Sequence, residues 1–362
     1  MNSRMKKIAI VSFFKSENYG ALLQAFALQK CIEDMGYEAG YLEYHPHTKL
    51  PFSKYILNRL NRILRSLLGY RQRRRKTKSF VDNYIRIIPN SARVNQDVYV
   101  AGSDQVWHPQ YLEASNNFFI LDFIVDKPKI SYASSFGISE LPKNLIDFYK
   151  ISLSAYAHLS VREETGLNII KGLGFNDVVT VCDPTMLLSQ KIWMKFIGNS
   201  LVNSDYILSY VMNGDNVTAA YIRKLAQILN AKSGNRYKLV FIGDKEYKSI
   251  DPSYSLICNA GPIDFINYIY HAKYIITSSF HGTCFSLIFN KQFLNILDAN
   301  NGVNNRITNL IDCLEIPDVV NYTIQDPNKI DFHPIDYSIV AMKIEQYRNK
   351  SWSYLKNSLN DL

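Results

Sequence analysis

Short apolar runs alternate along this chain with longer stretches in which apolar residues return every three or four positions. The short runs predict buried strands and the longer stretches amphipathic helices. Ile8, Ile10, Val11 and Phe13 open the series as a strand, followed by a polar loop at 15–20. Residues 21–35 (ALLQAFALQKCIEDM) then read as a helix that stops at Gly36, and 37–44 as the second strand. Further strands are predicted at 98–101, 129–134, 158–161 and 178–182, with helices at 142–155 and after Glu163. The alternation restarts beyond Leu188, with strands at 206–212, 237–242, 274–277 and 292–296 and helices at 218–229, 262–271, from Thr283 onward and at 304–313. Residues 351–359 read as part of a terminal helix. Strand–helix alternation of this kind predicts parallel, doubly wound sheets. The seam near 185–205 predicts two Rossmann-like domains facing a cleft: 1–190 with an insertion at 52–80, 191–335, and a helical tail at 336–362.

Composition fits this picture, with 47% hydrophobic and 20% charged residues among 362. Cys31, Cys182, Cys258, Cys284 and Cys313 are widely spaced, with no CxxC and no histidine beside a pair. That spacing predicts free thiols in a reducing compartment and no zinc site. The N-terminal apolar run spans only 8–14 and lacks a small-residue cleavage site, so it reads as a strand rather than a signal peptide. No run reaches membrane-spanning length.

Charge changes the picture at one place. The formal net charge is +9, and the segment 54–78 alone holds ten Lys or Arg and no acid. Ile56, Leu57, Leu60, Ile63, Leu64, Leu67 and Leu68 recur there at helical spacing. Two readings stand side by side: a basic amphipathic helix on an anionic membrane face, or a solvated insertion whose apolar stripe packs on its own domain. Nucleic acid is not expected as a partner, because no recognition motif accompanies the charge.

Candidate chemistry gathers where the predicted strands end. The loop after the first strand carries Asn18, Tyr19 and Gly20 but neither GxGxxG nor GxxxxGK[ST], so no known phosphate-loop fingerprint applies. Later strands end in Gly102, Ser103 and Asp104, in Ser135, Phe136 and Gly137, in Arg162 and Glu163, and in Asp183 and Pro184. Small and polar groups at four strand ends predict one ligand-binding rim. The stretch YIITSSFHGTCFSLIFN at 274–290 predicts a strand, a tight turn at 278–282 and a helix. Ser279, Gly282 and Thr283 there offer an anion site at a helix start, where backbone N–H groups converge, and Gly282 would admit a ligand close to the backbone. His281 beside it is suited to proton transfer near neutral pH.

Taken in order, NYGALLQAFAL, AGSDQVWHP, YASSFG, LSVREETG, VCDPTMLL and ITSSFHGTCFSLIF resemble the polysaccharide pyruvyltransferase family over roughly residues 6 to 315. The resemblance implies a fold like the GT-B glycosyltransferases. It also implies transfer of pyruvate from phosphoenolpyruvate to two sugar hydroxyls as a cyclic ketal. His281 matches the family's catalytic histidine and Arg162 its arginine in an RE-type motif. Many members place an arginine just before the histidine, as in RFHG or RLHG; this chain has Ser279 and Phe280 there, and Arg306 and Lys291 are the candidate replacement cations.

On that basis His281 is the expected general acid, Arg162 the bidentate clamp for the donor carboxylate, and the helix start the phosphate site. A bound phosphate would favour the charged imidazole. Asp104 and Asp183 either handle acceptor hydroxyls or cap their loops. No cofactor or metal is expected beyond phosphoenolpyruvate itself as donor. The expected acceptor is a sugar, carried on a lipid, with the enzyme cytoplasmic and peripheral at the inner membrane face. The alternatives are a GT-B glycosyltransferase using a nucleotide sugar, for which no ribose-binding acidic residue is evident in the second domain, and a non-catalytic glycan-assembly protein.

Overall fold

The computed structural model describes residues 4–44, 69–212, 216–243, 254–297, 305–316, 319–322, 326–330 and 333–362. The chain divides into two compact units, one drawn from 1–47, 81–188 and 342–362, the other from 48–80 and 189–341.

In the first unit β1 (Lys7–Val11), β2 (Glu38–Leu42), β3 (Ile87–Ile88), β4 (Val98–Ala101) and β5 (Lys129–Ser131) form a parallel sheet in the order β3-β2-β1-β4-β5. Parallel bridges Ile130↔His158 and Ser134↔Val161 carry it on to β6 (Leu159–Val161) and β7 (Val178–Thr180). The central strands are apolar on both faces because helices cover both; β4, VYVA, is buried throughout. Trp107, Phe136, Tyr149 and Val161 are among the residues of the core under this sheet.

The second unit repeats the winding. Its strands β8 (Tyr206–Tyr210), β9 (Lys238–Ile242), β10 (Tyr254–Ile257), β11 (Tyr274–Thr277), β12 (Gln292–Leu297) and β13 (Val320–Tyr322) are all parallel, in the order β10-β9-β8-β11-β12-β13. Counted within each unit, both orders begin 3-2-1-4-5, the Rossmann sequence. In each sheet the winding reverses between the unit's first and fourth strands, and ligands of such sheets bind outside the carboxyl ends there. For the first unit that point is between β1 and β4, and for the second between β8 and β11.

Two boundaries differ from the sequence-based division. Residues 69–80, assigned above to an insertion of the N-terminal domain, group with the second unit: Lys76 pairs with Asp264 at 2.6 Å, and the Asn259 amide donates to Gln72 at 2.9 Å. The apolar stripe 56–68 lies outside the described residues. The terminal helix is also longer than expected, running Tyr337–Asn360. From 342 onward it belongs to the first unit rather than to a separate tail. Ser351, Leu355, Ser358 and Leu359 form its buried stripe. Ser351 Oγ accepts from the Cys182 N–H at 2.9 Å, and Trp352 donates to the Leu187 carbonyl at 3.1 Å.

Candidate active site

The rim of the first unit is built from the ends of β1, β4, β5, β6 and β7. Ser12, just past β1, donates its hydroxyl to the Ser103 carbonyl at 2.6 Å, tying the ends of β1 and β4 together. Asn18 caps the helix Tyr19–Asp34 by accepting from the Gly20 N–H at 2.9 Å, and Tyr19 and Gly20 are buried in its first turn. Beyond β4, Asp104 takes a left-handed backbone with φ 79°. Such a conformation strains any residue with a Cβ, although Asp tolerates it better than most. It is held by a bridge to Ser134 and by the Ser135 N–H donating to the Asp104 carbonyl at 2.9 Å.

Arg162, at the end of β6, is buried, its side chain 1% exposed. Its guanidinium donates to Asp183 at 3.1 Å and to the Ser103 hydroxyl at 3.4 Å. Asp104 lies 3.6 Å and Glu163 3.7 Å from it. Burial alone would lower the pKa of this guanidinium, but Asp104, Asp183 and Glu163 outweigh burial and hold it above its ordinary value. Asp183 spends both oxygens: one accepts from the Thr185 N–H at 3.0 Å and from the Thr185 hydroxyl at 2.8 Å, capping the helix Pro184–Leu187, and the other takes Arg162 and Ser103. The capping reading of Asp183 therefore describes its geometry, while Asp104 keeps a side chain 12% exposed.

In the second unit the helix after β11 begins at Phe280, three residues earlier than expected, and runs Phe280–Ile288. His281 is thus its second residue, 5% exposed, rather than part of a preceding turn. The local chemistry explains the early start. The Ser279 hydroxyl accepts from the Gly282 N–H at 3.2 Å and caps the helix. Thr277 Oγ1 accepts from the Ser279 N–H at 3.0 Å while donating to the Tyr210 carbonyl at 2.5 Å. Ser278 Oγ accepts from the Met212 N–H at 2.8 Å. The turn is thereby fastened to β8 across the switch point. Thr283 turns inward: its hydroxyl lies 3.1 Å from the Ser279 carbonyl and 2.7 Å from Asn295 Oδ1.

Gly282 is glycine for a packing reason. A Cβ there would stand 2.6 Å from Thr277 Oγ1, so β11, not a ligand, occupies the space. Gly282→Ala is expected to cost about 1–3 kcal/mol by overpacking, despite alanine's helix propensity advantage of about 1 kcal/mol. Urea unfolding followed through Trp193, which packs on Phe285 at 4.9 Å, measures it; an unchanged midpoint would show that Thr277 yields freely.

The two candidate cations separate cleanly. The Arg306 guanidinium lies over the Phe280 ring at 5.8 Å, and Phe280 meets His281 edge-on at 5.4 Å. Lys291 follows the far end of the helix, where its N–H donates to the Ser286 carbonyl at 2.8 Å and its ammonium lies 5.2 Å from the Tyr270 ring. The nine residues Phe280–Ile288 span about 13 Å, so Arg306 and not Lys291 accompanies His281.

The structure thus gathers Ser103, Asp104, Arg162 and Asp183 in one unit, and Ser279, His281, Gly282, Thr283 and Arg306 in the other. Sequence reasoning passed over Thr277, Phe280 and Asn295 as site residues, and placed Glu163 only at a strand end, without its tie to Arg162. Asn295 had a readable signal: it is a polar residue in the apolar run QFLNIL of β12.

Two units of Rossmann winding with polar strand ends at their switch points make this an α/β protein of the GT-B type. Among solved structures it is similar to the UDP-GlcNAc 2-epimerase of Methanocaldococcus jannaschii in complex with UDP-GlcNAc and UDP, with TM-score 0.54 and 12% identity over 99% of this chain and 100% of that one. It is also similar to the UDP-GlcNAc 2-epimerase of Neisseria meningitidis bound to UDP-GlcNAc, with TM-score 0.53 and 10% identity over 99% and 100%, and to that of Rickettsia bellii, with TM-score 0.52 and 11% identity over 98% and 95%. At such identity the likeness carries the fold. No curated protein matches the chain. The family model described as polysaccharide pyruvyl transferase matches residues 18–299, and the chain belongs to that family of transferases.

Proposed function

We propose that the protein transfers the carboxyethylidene group of phosphoenolpyruvate to two hydroxyls of a sugar in a surface or capsular polysaccharide precursor, forming a cyclic ketal and releasing phosphate. The observation that carries this reading is His281 in the first turn of a helix at the second unit's switch point, with Arg306 one ring away over Phe280. The methylene carbon of the donor takes a proton from the imidazole. The adjacent carbon then accepts the first sugar oxygen. Phosphate leaves, and the second hydroxyl closes the ketal on the same carbon. One hydroxyl proton restores the imidazole and the other departs with phosphate, so atoms balance without oxidant or reductant. The N-terminal end of the helix dipole favours the anionic donor, and Arg306 supplies the cation that a residue before the histidine supplies in many relatives.

Arg162 receives a different role from the clamp expected from sequence. Its guanidinium is engaged by Asp183, Asp104 and Glu163 inside the first unit, so it acts as a positioning residue that fixes Asp104 for an acceptor hydroxyl. The deciding experiment incubates the protein with phosphoenolpyruvate and a panel of lipid-linked and nucleotide-activated sugars. Equimolar phosphate release with a mass gain of one ketal supports the reading. Consumption of a nucleotide sugar with release of the nucleotide, and no use of phosphoenolpyruvate, replaces it by glycosyl transfer. Turnover is expected to survive EDTA, since no set of three His, Cys, Asp or Glu able to hold a metal ion occurs among the described residues. Loss in EDTA restored by one divalent ion would add a metal to the mechanism.

The acceptor is taken to be lipid-linked, with the enzyme held at the cytoplasmic membrane face. No helix among the described residues is long and apolar enough to cross a membrane. The helix Arg71–Tyr84 instead offers Arg71, Arg74, Arg75 and Lys78, all exposed and spaced so as to share one face. Arg73 turns in, 6.0 Å from the Tyr70 ring, and Lys76 is committed to Asp264. Cations near an anionic leaflet contribute about 1 kcal/mol each. Converting the four exposed cations to Gln is expected to release the protein from phosphatidylserine vesicles at low salt while a short soluble acceptor is still turned over. Wild-type protein that fails to co-sediment with those vesicles would refute membrane attachment.

A further inference from the structure

The described mechanism leaves unused a group of rings at the carboxyl ends of β1 and β4. Phe13 follows Ser12 past the end of β1, and His108 and Tyr111 come after β4. Phe13 meets Tyr111 edge-on at 5.1 Å and Phe119 at 4.7 Å, and His108 lies 5.3 Å from Tyr111. Phe119 is buried and joins the core beneath; Phe13 and His108 are half-buried, and Tyr111 is 42% exposed. The rings are held from several sides. Tyr44, after β2, donates its hydroxyl to the Ala114 carbonyl at 2.7 Å, pinning the helix Pro109–Ala114 that carries Tyr111. His108 Nδ1 accepts from the Gln110 N–H at 3.2 Å, which places the ring proton on Nε2 in the neutral imidazole. Burial also lowers the pKa of this imidazole. The same turn holds Asp104, whose carbonyl accepts from the Val106 N–H at 2.7 Å.

We propose that the exposed ring of Tyr111, flanked by His108 and Phe13, forms a stacking platform for a sugar ring of the acceptor at the carboxyl ends of β1 and β4. A pyranose presents one face of C–H bonds whose positive ends meet the negative face of an aromatic ring, the attraction that a cation or a ring edge also finds there. Tyrosine offers that area at little entropic cost, having two side-chain torsions to fix, and rings already braced by Phe119 and the pinned helix need little further ordering. The His108 Nε2–H supplies a hydroxyl donor at the edge of the platform, the kind of polar group that orients a polyhydroxylated ring. This deepens the proposed reading for the acceptor and stands independently of the donor.

The test uses saturation-transfer NMR on the whole protein without phosphoenolpyruvate. The probes are the methyl pyranosides of glucose, galactose and mannose and their N-acetylamino derivatives. At least one probe is expected to bind wild type with saturation strongest on the C–H protons of a single face. Tyr111→Ala is expected to weaken that probe about tenfold or more, with its melting temperature unchanged, whereas Tyr111→Phe and Tyr111→Trp retain it. Binding of no probe to wild type, or equal binding to Tyr111→Ala, overturns the platform. Phosphate release from phosphoenolpyruvate is measured in parallel. If the donor is never consumed but glycoside binding still depends on Tyr111, the pyruvyl reading fails and the platform stands. If transfer proceeds with an unaltered acceptor KM in Tyr111→Ala, the platform fails and the pyruvyl reading stands.

Discussion

His281→Ala is expected to lower the rate of the proposed pyruvyl transfer by about two to four orders of magnitude, the range a positioned general acid contributes. In the proposed mechanism water would not protonate the donor's methylene carbon at a useful rate, so the step that makes the adjacent carbon electrophilic would depend on the imidazole. His281 is 5% exposed, and its loss leaves a small void beside Phe280. His281→Asn therefore accompanies the alanine variant: it fills most of the void and cannot serve as an acid. Both variants are expected to keep phosphoenolpyruvate affinity within a few-fold by calorimetry, because Arg306 and the helix start remain. Phosphate release read from single turnovers separates chemistry from binding. Transfer by His281→Asn within tenfold of wild type would remove the general-acid role and move attention to a water held at the helix start.

Most of the strands were legible because strands covered on both faces read as uninterrupted apolar runs, and this chain has many: IAIV in β1, VYVA in β4, YIIT in β11. Three strands escaped: β3 and β13 because two or three residues cannot establish a period, and β10, Tyr254–Ile257, because this sheet-edge strand is only partly buried and its run YSLI is short. Legibility failed most instructively at 279–283. Ser, Phe, His and Gly in succession favour a turn by local preference, yet Ser279 is a cap and the helix starts at once. What decides the matter is Thr277, whose hydroxyl takes the Ser279 N–H and fills the space a Cβ at residue 282 would need. Thr277 is itself oriented by a tertiary contact, its hydroxyl donating to the Tyr210 carbonyl at 2.5 Å, so Gly282 read in isolation suggested ligand approach instead. Arg162 shows the same limit. Asp104 and Asp183 are remote from it in sequence, on separate strand ends, and only the winding of the sheet brings those two carboxylates to the guanidinium that the adjacent Glu163 already flanks.

That convergence makes Arg162→Met the most damaging single change expected for stability. Removing one partner from a buried ionic group leaves the others desolvated and uncompensated, a loss of about 3–5 kcal/mol. Here Asp183 and Glu163 are buried with side chains 0% and 2% exposed. Arg162→Lys restores a charge but not the fork that reaches Asp183 and Ser103 together, so it is expected to fall between methionine and wild type. Urea unfolding followed through Trp107, buried in the first unit, gives the ordering. Adding Asp183→Asn to Arg162→Met should return part of the loss, since it deletes one stranded charge while its remaining carbonyl oxygen can still cap the helix Pro184–Leu187; that departure from additivity is the signature of a shared network. The same variants distinguish positioning from clamping. If Arg162 holds Asp104, Arg162→Lys raises the acceptor KM and leaves phosphoenolpyruvate affinity within about tenfold, roughly 1.4 kcal/mol. A lysine variant with native stability and donor affinity weakened beyond that limit would instead mean that the guanidinium leaves its carboxylates to grip the donor, and the cage would be a resting state rather than the working one.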